Sequence, residues 1–222
     1  MRCLLFILIT LVASCNNKSE NTSSGKNEVI VDGQEKNETI PYKEFGKSSI
    51  LNIEFPKEWE INTYEDTVKK IKKEDLDFQN KFAALDYFKD KGGKNVIDKT
   101  FFYNYIKNDS LLKLSKIESF SLLDSIIINQ KKLFYIKTSS SIDSQDYEMP
   151  LVVSKIDLVM FNKNEFNKSV NLFLEVDYPY STKQNIGYLD NNGIVYYKKF
   201  KIDEDKTYYL GMSKINLNEY FK

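Results

Sequence analysis

Val170, Leu172, Leu174, Val176 and Tyr178 occupy every second position of one run, with Asn171, Glu175 and Asp177 between them and only Phe173 out of phase. Successive side chains of a strand point to opposite sides, so this alternation commits the segment to a strand with one apolar face. The same period of two recurs through the second half of the chain, at residues 117–129, 132–138, 152–161, 194–202 and 207–212. Asn129-Gln130 and Asp190-Asn191-Asn192-Gly193 suit hairpin turns, and residues 139–147 read as a polar loop. Ahead of this region the period is different. Asp98 is placed to cap a helix whose apolar face is Phe101, Phe102, Tyr105, Ile106 and Leu112. Tyr64, Val68 and Ile71 lie three and four apart after Thr63-Tyr64-Glu65-Asp66, a variant capping box. Phe78, Phe82, Leu85 and Phe88 keep helical spacing, but residues 82–88 fit a buried strand equally, and Gly92-Gly93 ends either. Ile50, Leu51, Ile53 and Phe55 form a partly alternating strand that stops at Pro56, and Trp59 and Ile61 make a second short one. The expected fold class is α+β: an antiparallel sheet with one or two helices packed on one face.

The N-terminus has a different character. Met1-Arg2 is followed by an apolar run from Cys3 to Val12, broken only by Thr10. The run is too short to span a bilayer but fits the apolar core of a signal peptide. Ala13 and Ser14 then precede Cys15. This pattern resembles the lipobox of bacterial lipoprotein precursors. The resemblance implies that the leader, residues 1–14, is cleaved, and that Cys15 becomes the first residue and carries lipid. Two acyl chains already suffice for stable anchoring. Residues 15–45 are rich in Asn, Ser, Thr, Lys and Glu and read as a flexible polar tether with a reach of about 30 Å. The remaining residues, 46–222, are expected to form one domain. The resulting expectation is a protein held outside the cytoplasm on a bacterial membrane. Asn16 is not the Asp associated with inner-membrane retention, so the outer membrane is preferred where there is one.

A strand ending in Phe55-Pro56-Lys57-Glu58-Trp59, then a helix, then the strand pair around Ile117-Glu118-Ser119 and Phe134-Tyr135-Ile136, resembles the PsbP-like fold family. That family includes many small bacterial lipoproteins. The resemblance covers residues 49–138 and implies a scaffold rather than an activity.

Composition narrows the chemistry. The chain has no histidine, which excludes Ser-His-Asp and Cys-His mechanisms and His-ligated metal centres. Its two cysteines are Cys3 and Cys15, so the domain contains no thiol for a metal, cluster or redox site. No glycine falls in a dinucleotide or P-loop pattern. No cofactor and no metal are therefore expected. The 32 basic and 32 acidic residues cancel, and Arg2 is the only arginine, which argues against nucleic acid as a partner. Weak calcium binding by Asp143-Ser144-Gln145-Asp146 or by the 190–193 turn lacks EF-hand spacing.

Two functional readings remain. Fifteen tyrosines and fifteen phenylalanines place aromatic side chains on both faces of several strands. Tyr178, Tyr180, Tyr197 and Tyr209 are candidates for a partner-contact surface on the face turned away from the core, since tyrosine suits interfaces. The expected function is then a non-enzymatic envelope module that binds or scaffolds an envelope protein or glycan, with the lipid anchor as its membrane contact. The alternative is a carboxylate-dependent hydrolase acting on envelope glycans. Its candidate carboxylates are Asp143, Asp146 and Glu148, the pair Glu175 and Asp177, or Asp203, Glu204 and Asp205.

Overall fold

The computed structural model describes residues 42–61, 71–86, 88, 91–96, 100–128, 131–145, 148–162 and 165–222, all within one unit. Its centre is a nine-stranded antiparallel sheet. The strands are β1 (Glu58–Glu60), β2 (Lys94–Asn95), β3 (Lys116–Ile128), β4 (Lys131–Ile142), β5 (Leu151–Asn162), β6 (Glu165–Tyr178), β7 (Ser181–Leu189), β8 (Ile194–Asp203) and β9 (Lys206–Asn216). From β3 to β9 each strand pairs with the one before it, as short turns between alternating runs dictate. β2 lies outside β3, and β1 lies outside β9.

The sheet has apolar residues on both faces. The larger core is on the front. It gathers Leu133, Tyr135, Ile156, Leu158, Met160, Val170, Phe173, Ile186 and Phe200. The smaller core is on the back, around Phe120, Phe134, Ile136, Val159 and Phe161. Along β4 and β5, neighbouring residues go alternately to the two cores, so these central strands are buried on both sides.

The front is covered mainly by extended chain. Tyr42, Phe45, Ile50, Ile53 and Phe55 lie across it, joined by Phe78, Phe82, Leu85 and Phe88. Tyr42–Phe45, the end of the stretch read as tether, is thus already part of the domain's packing. β6 accounts for this path. It bonds to β7 only from Phe173 to Tyr178, and its earlier residues pair with β5. The vacated side of β7 is taken by the N-terminal segment. The Phe45 N–H donates to the Leu189 carbonyl at 3.0 Å, the Leu189 N–H donates back at 2.9 Å, and the Tyr42 N–H donates to Asn191 O at 3.1 Å. Two glycines permit the approach. A Cβ on Gly187 would overlap the Leu172 carbonyl, and one on Gly46, whose φ is +101°, would stand 2.8 Å from Gly187 O.

The α+β expectation, with helices packed on one face, is corrected. The protein is predominantly a single antiparallel sheet. Helix α1 (Lys73–Ala83) has eleven residues and buries none of them, although Phe78 and Phe82 touch the front core. Helix α2 (Tyr103–Asn108) has six residues and lies on the back, and α3 (Leu217–Tyr220) has four. Helices this short do not form a layer, and extended chain supplies the cover instead. The PsbP-like scaffold is corrected with the fold class. Its first strand is absent: Ser48–Leu51 is a 3-10 turn, and residues 53–56 cross the front outside any strand, before the Lys57 carbonyl accepts from the Tyr209 N–H of β9 at 2.9 Å.

Other segments differ more locally. β4 runs on to Ile142 through the Ser139-Ser140-Ser141 stretch read as loop, because each serine pairs with β5 and Ser140 is buried. β7 was not anticipated at all. The ambiguous 78–88 stretch is helical to Ala83 and then turns. The helix expected around Tyr64 and Val68, and the cap at Asp98, lie outside the described residues, as do the leader, Cys15 and the Asn129-Gln130 turn.

Candidate functional site

The back of strands β6 to β9 carries a repeated pairing of lysine with tyrosine. Lys183 lies over the Tyr178 ring at 5.1 Å, Lys199 over Tyr197 at 5.5 Å and Lys201 over Tyr208 at 5.8 Å. Register puts all six on one face. Val176, Lys183, Lys201, Tyr208 and Glu58 form one row of cross-strand partners from β6 to β1. Tyr178 and Lys199 are two residues, and Tyr197 four, removed from members of that row along their own strands, an even spacing that restores the same side. Lys201 also bonds Asp203 at 2.9 Å, and the carboxylate raises its pKa.

Of the four tyrosines expected to form a surface, Tyr178 and Tyr197 lie on this face, with Tyr197 half-buried and also packed against the larger core. Tyr209 does not. It faces front, 5.5 Å from Phe200 and 5.9 Å from Phe55, and burial raises its pKa. Tyr208 takes the place assigned to it. The sequence shows Tyr208-Tyr209 as equivalents, and only the register Tyr208 to Lys201 separates them. The lysines were missed: Lys199 and Lys201 alternate along β8 as strand positions of one face do, and only register brings Lys183 beside them.

Tyr180 is in the β6–β7 turn and is 73% exposed. Beside it, Tyr178, Thr182, Ile202, Asp203 and Glu204 line an open groove of about 380 Å3 that also includes Tyr180. This end of the sheet is opposite to the end where Tyr42 meets Asn191, because β7 runs the length between them. Pro179 and the paired strands on either side restrict the backbone that presents Tyr180.

The second polar feature is buried. Lys155 is 5% exposed on the back of β5 and bonds both Asp109 and Asp157, the latter at 2.9 Å. The Tyr105 hydroxyl donates to Asp157, and Asn171 Nδ2 donates to Asp157 at 2.9 Å. Burial works to lower the Lys155 pKa, but the Asp157 and Asp109 carboxylates outweigh it and hold it above the ordinary value. Burial, then Asp157, pushes Tyr105 well up. Asp109 also accepts from the Leu111 and Leu112 N–H groups, at 3.0 and 2.9 Å. The network therefore fastens the α2 region to the sheet. A third site is Lys198, buried between the Phe55 and Tyr209 rings, with its ammonium donating to Ile53 O. Burial lowers its pKa, and Glu54 opposes the shift.

The carboxylates considered for hydrolysis are dispersed. Glu175 accepts from Gln184 at 2.8 Å, and Asp177 accepts from Thr182 at 2.8 Å, both on the front. Asp203 and Glu204 share the groove but are adjacent on one turn, rather than on opposite walls. Asp190 caps its own turn, accepting from the Asn192 and Ile194 N–H groups at 3.0 and 2.7 Å, and Asp146 lies outside the described residues. Among the described residues no group of His, Cys, Asp or Glu is arranged to hold a metal ion, and no helix is long and apolar enough to cross a membrane.

No family model, curated protein or solved structure matches this chain.

Proposed function

We propose that this protein is a lipid-anchored module of the bacterial cell envelope whose domain binds a partner through the tyrosine-bearing end of its sheet. The observation that carries the reading is the groove at the β6–β7 turn. There the exposed Tyr180 and its neighbour Tyr178 stand beside Ile202, Asp203 and Glu204. Large aromatic side chains held by paired backbone contribute contact area with little loss of conformational freedom, which is how anchors of binding surfaces work. The site is at the end of the strands remote from Tyr42, so a partner reaches it without displacing the chain that leads to the tether.

The anchor rests on Val12-Ala13-Ser14-Cys15, and the outer membrane is its preferred location where the host has two membranes. Two experiments test the proposal. Metabolic labelling with a fatty-acid analogue should label the parent protein and not Cys15→Ala, which should also leave the membrane fraction. Unchanged labelling and fractionation of the variant would refute the anchor. A photoreactive amino acid in place of Tyr180 should crosslink to a discrete partner in whole cells, whereas the same residue in place of the exposed Leu114 should not. Equal crosslinking at both positions would refute a specific site.

A further inference from the structure

We infer that the lysine–tyrosine face of β6–β9 is a binding surface for an acidic polysaccharide. The inference rests on the binding-module reading above and gives the partner a chemistry. Lys183 and Lys201 are direct cross-strand partners, and Lys199 is one position further along the same face. Like charges directly opposite on a sheet destabilise it. Asp203 offsets only part of this, since three ammonium groups face one carboxylate there. Glu58, further along the row, is engaged by Lys206 at 3.5 Å. A local conflict that the fold does not require marks a functional surface more often than a structural one. An anion lying between Lys183, Lys199 and Lys201 would turn the repulsion into attraction.

The form of the surface selects the kind of anion. The lysines follow a strip across β7 and β8, with the rings of Tyr178, Tyr197 and Tyr208 along it and the amide of Asn185 opposite Lys199. A linear chain with regularly spaced carboxylates and many hydroxyls matches such a strip. The carboxylates take the ammonium groups, and the hydroxyls take the phenol and amide groups. Lysine is depleted in protein–protein contact surfaces, so an acidic protein is the poorer match. Glu58 and Glu60 lie at the margin of the same face and Asp203 sits against Lys201, and these carboxylates would oppose a continuous anionic membrane plane. A chain laid along Lys183 and Lys199 avoids Glu58 and Glu60.

The test uses the full-length protein in detergent and polygalacturonate as the probe, with neutral dextran for comparison. The parent should be retained on immobilised polygalacturonate, pass through dextran, and elute as salt rises. Excess polygalacturonate should raise its melting temperature, because a ligand of the folded state stabilises it. Lys183→Gln combined with Lys199→Gln should weaken retention about tenfold or more. The corresponding Arg pair keeps the charge and should retain the parent's binding, which separates lost charge from lost folding. Absence of retention, or equal retention of the Gln pair, would overturn the inference. So would equally tight binding of poly-glutamate or of phosphatidylglycerol vesicles, which would assign the face to an acidic protein or to lipid. If polygalacturonate fails while Tyr180 still crosslinks, only this inference falls, and the binding-module reading stands.

Discussion

The Leu172 carbonyl oxygen lies over Gly187, inside the space that a Cβ at residue 187 would occupy. The contact marks the point where β6 parts from β7. Gly187→Ala should force the two backbones apart and cost about 3 kcal/mol, as overpacking does. Gly92→Ala, where a Cβ meets nothing within 4 Å, should change stability by less than about 0.5 kcal/mol. Urea unfolding of both variants provides the comparison.

Tyr42 should be as important as a residue of the sheet. Its ring covers Gly193, whose φ of +80° and lack of a Cβ leave the room for it. Tyr42→Ala should destabilise the domain by about 3 kcal/mol through loss of a buried ring. Hydrogen exchange should show the Leu189 amide, which donates to Phe45 O at 2.9 Å, losing protection first.

The Lys155 network should respond sharply to losing one member. Asp157→Ala removes a carboxylate from Lys155 and the acceptor from Tyr105, leaving both groups buried. The expected cost is about 3–5 kcal/mol, whereas Tyr105→Phe, which removes one hydroxyl, should cost about 1–2 kcal/mol. Similar losses in the two variants would show that Asp157 acts only as the acceptor of Tyr105.

Stability should fall in alkali. Tyr42, Tyr105, Tyr135 and Tyr209 have raised pKa values from burial, Tyr188 is pushed up to about 12 by burial and by Glu44, and Lys155 is raised by Asp157 and Asp109 against its burial. For every one of these the folded state holds its proton more tightly. Their stabilisation is complete below the ordinary tyrosine and lysine values of 10.0 and 10.5, and it is lost as pH rises through the folded values. Lys198 has the opposite sign, because burial lowers its pKa, but it is one group against six. The urea midpoint should be lower at about pH 11 than at about pH 8, and tyrosinate absorbance should appear for these rings only as the protein unfolds. A midpoint that rises over this range would refute the assignment.

The strands that could be read in advance were those with apolar residues at alternate positions, such as β6 and β8. β7 could not, because its front-facing positions include Gln184, satisfied by Glu175 rather than by apolar contact. Gly187 follows, and it is there to admit Leu172. Ile50–Phe55 misled for the opposite reason. Its apolar side chains are buried by crossing a sheet, not by joining one. The error at Tyr209 is a matter of parity. β9 contains an extra residue, Leu210, between Tyr209 and Gly211, so counting alternate positions back from the strand's far end assigns the wrong face. The charge row was hidden because Lys183 and Lys201 become neighbours only through cross-strand register.

The seat of the N-terminal segment has a consequence for the order in which the chain assembles. The ladder from β3 to β9 zips between neighbours in sequence, which favours rapid pairing. Phe45 and Trp59 instead wait for Leu189 and Thr207, partners from the far end of the chain, and closing so long a loop carries its own entropic cost. A polypeptide emerging N-terminus first therefore presents these aromatic residues before their sites exist. The N-terminal part of the domain is the first of it to be made and the last to settle.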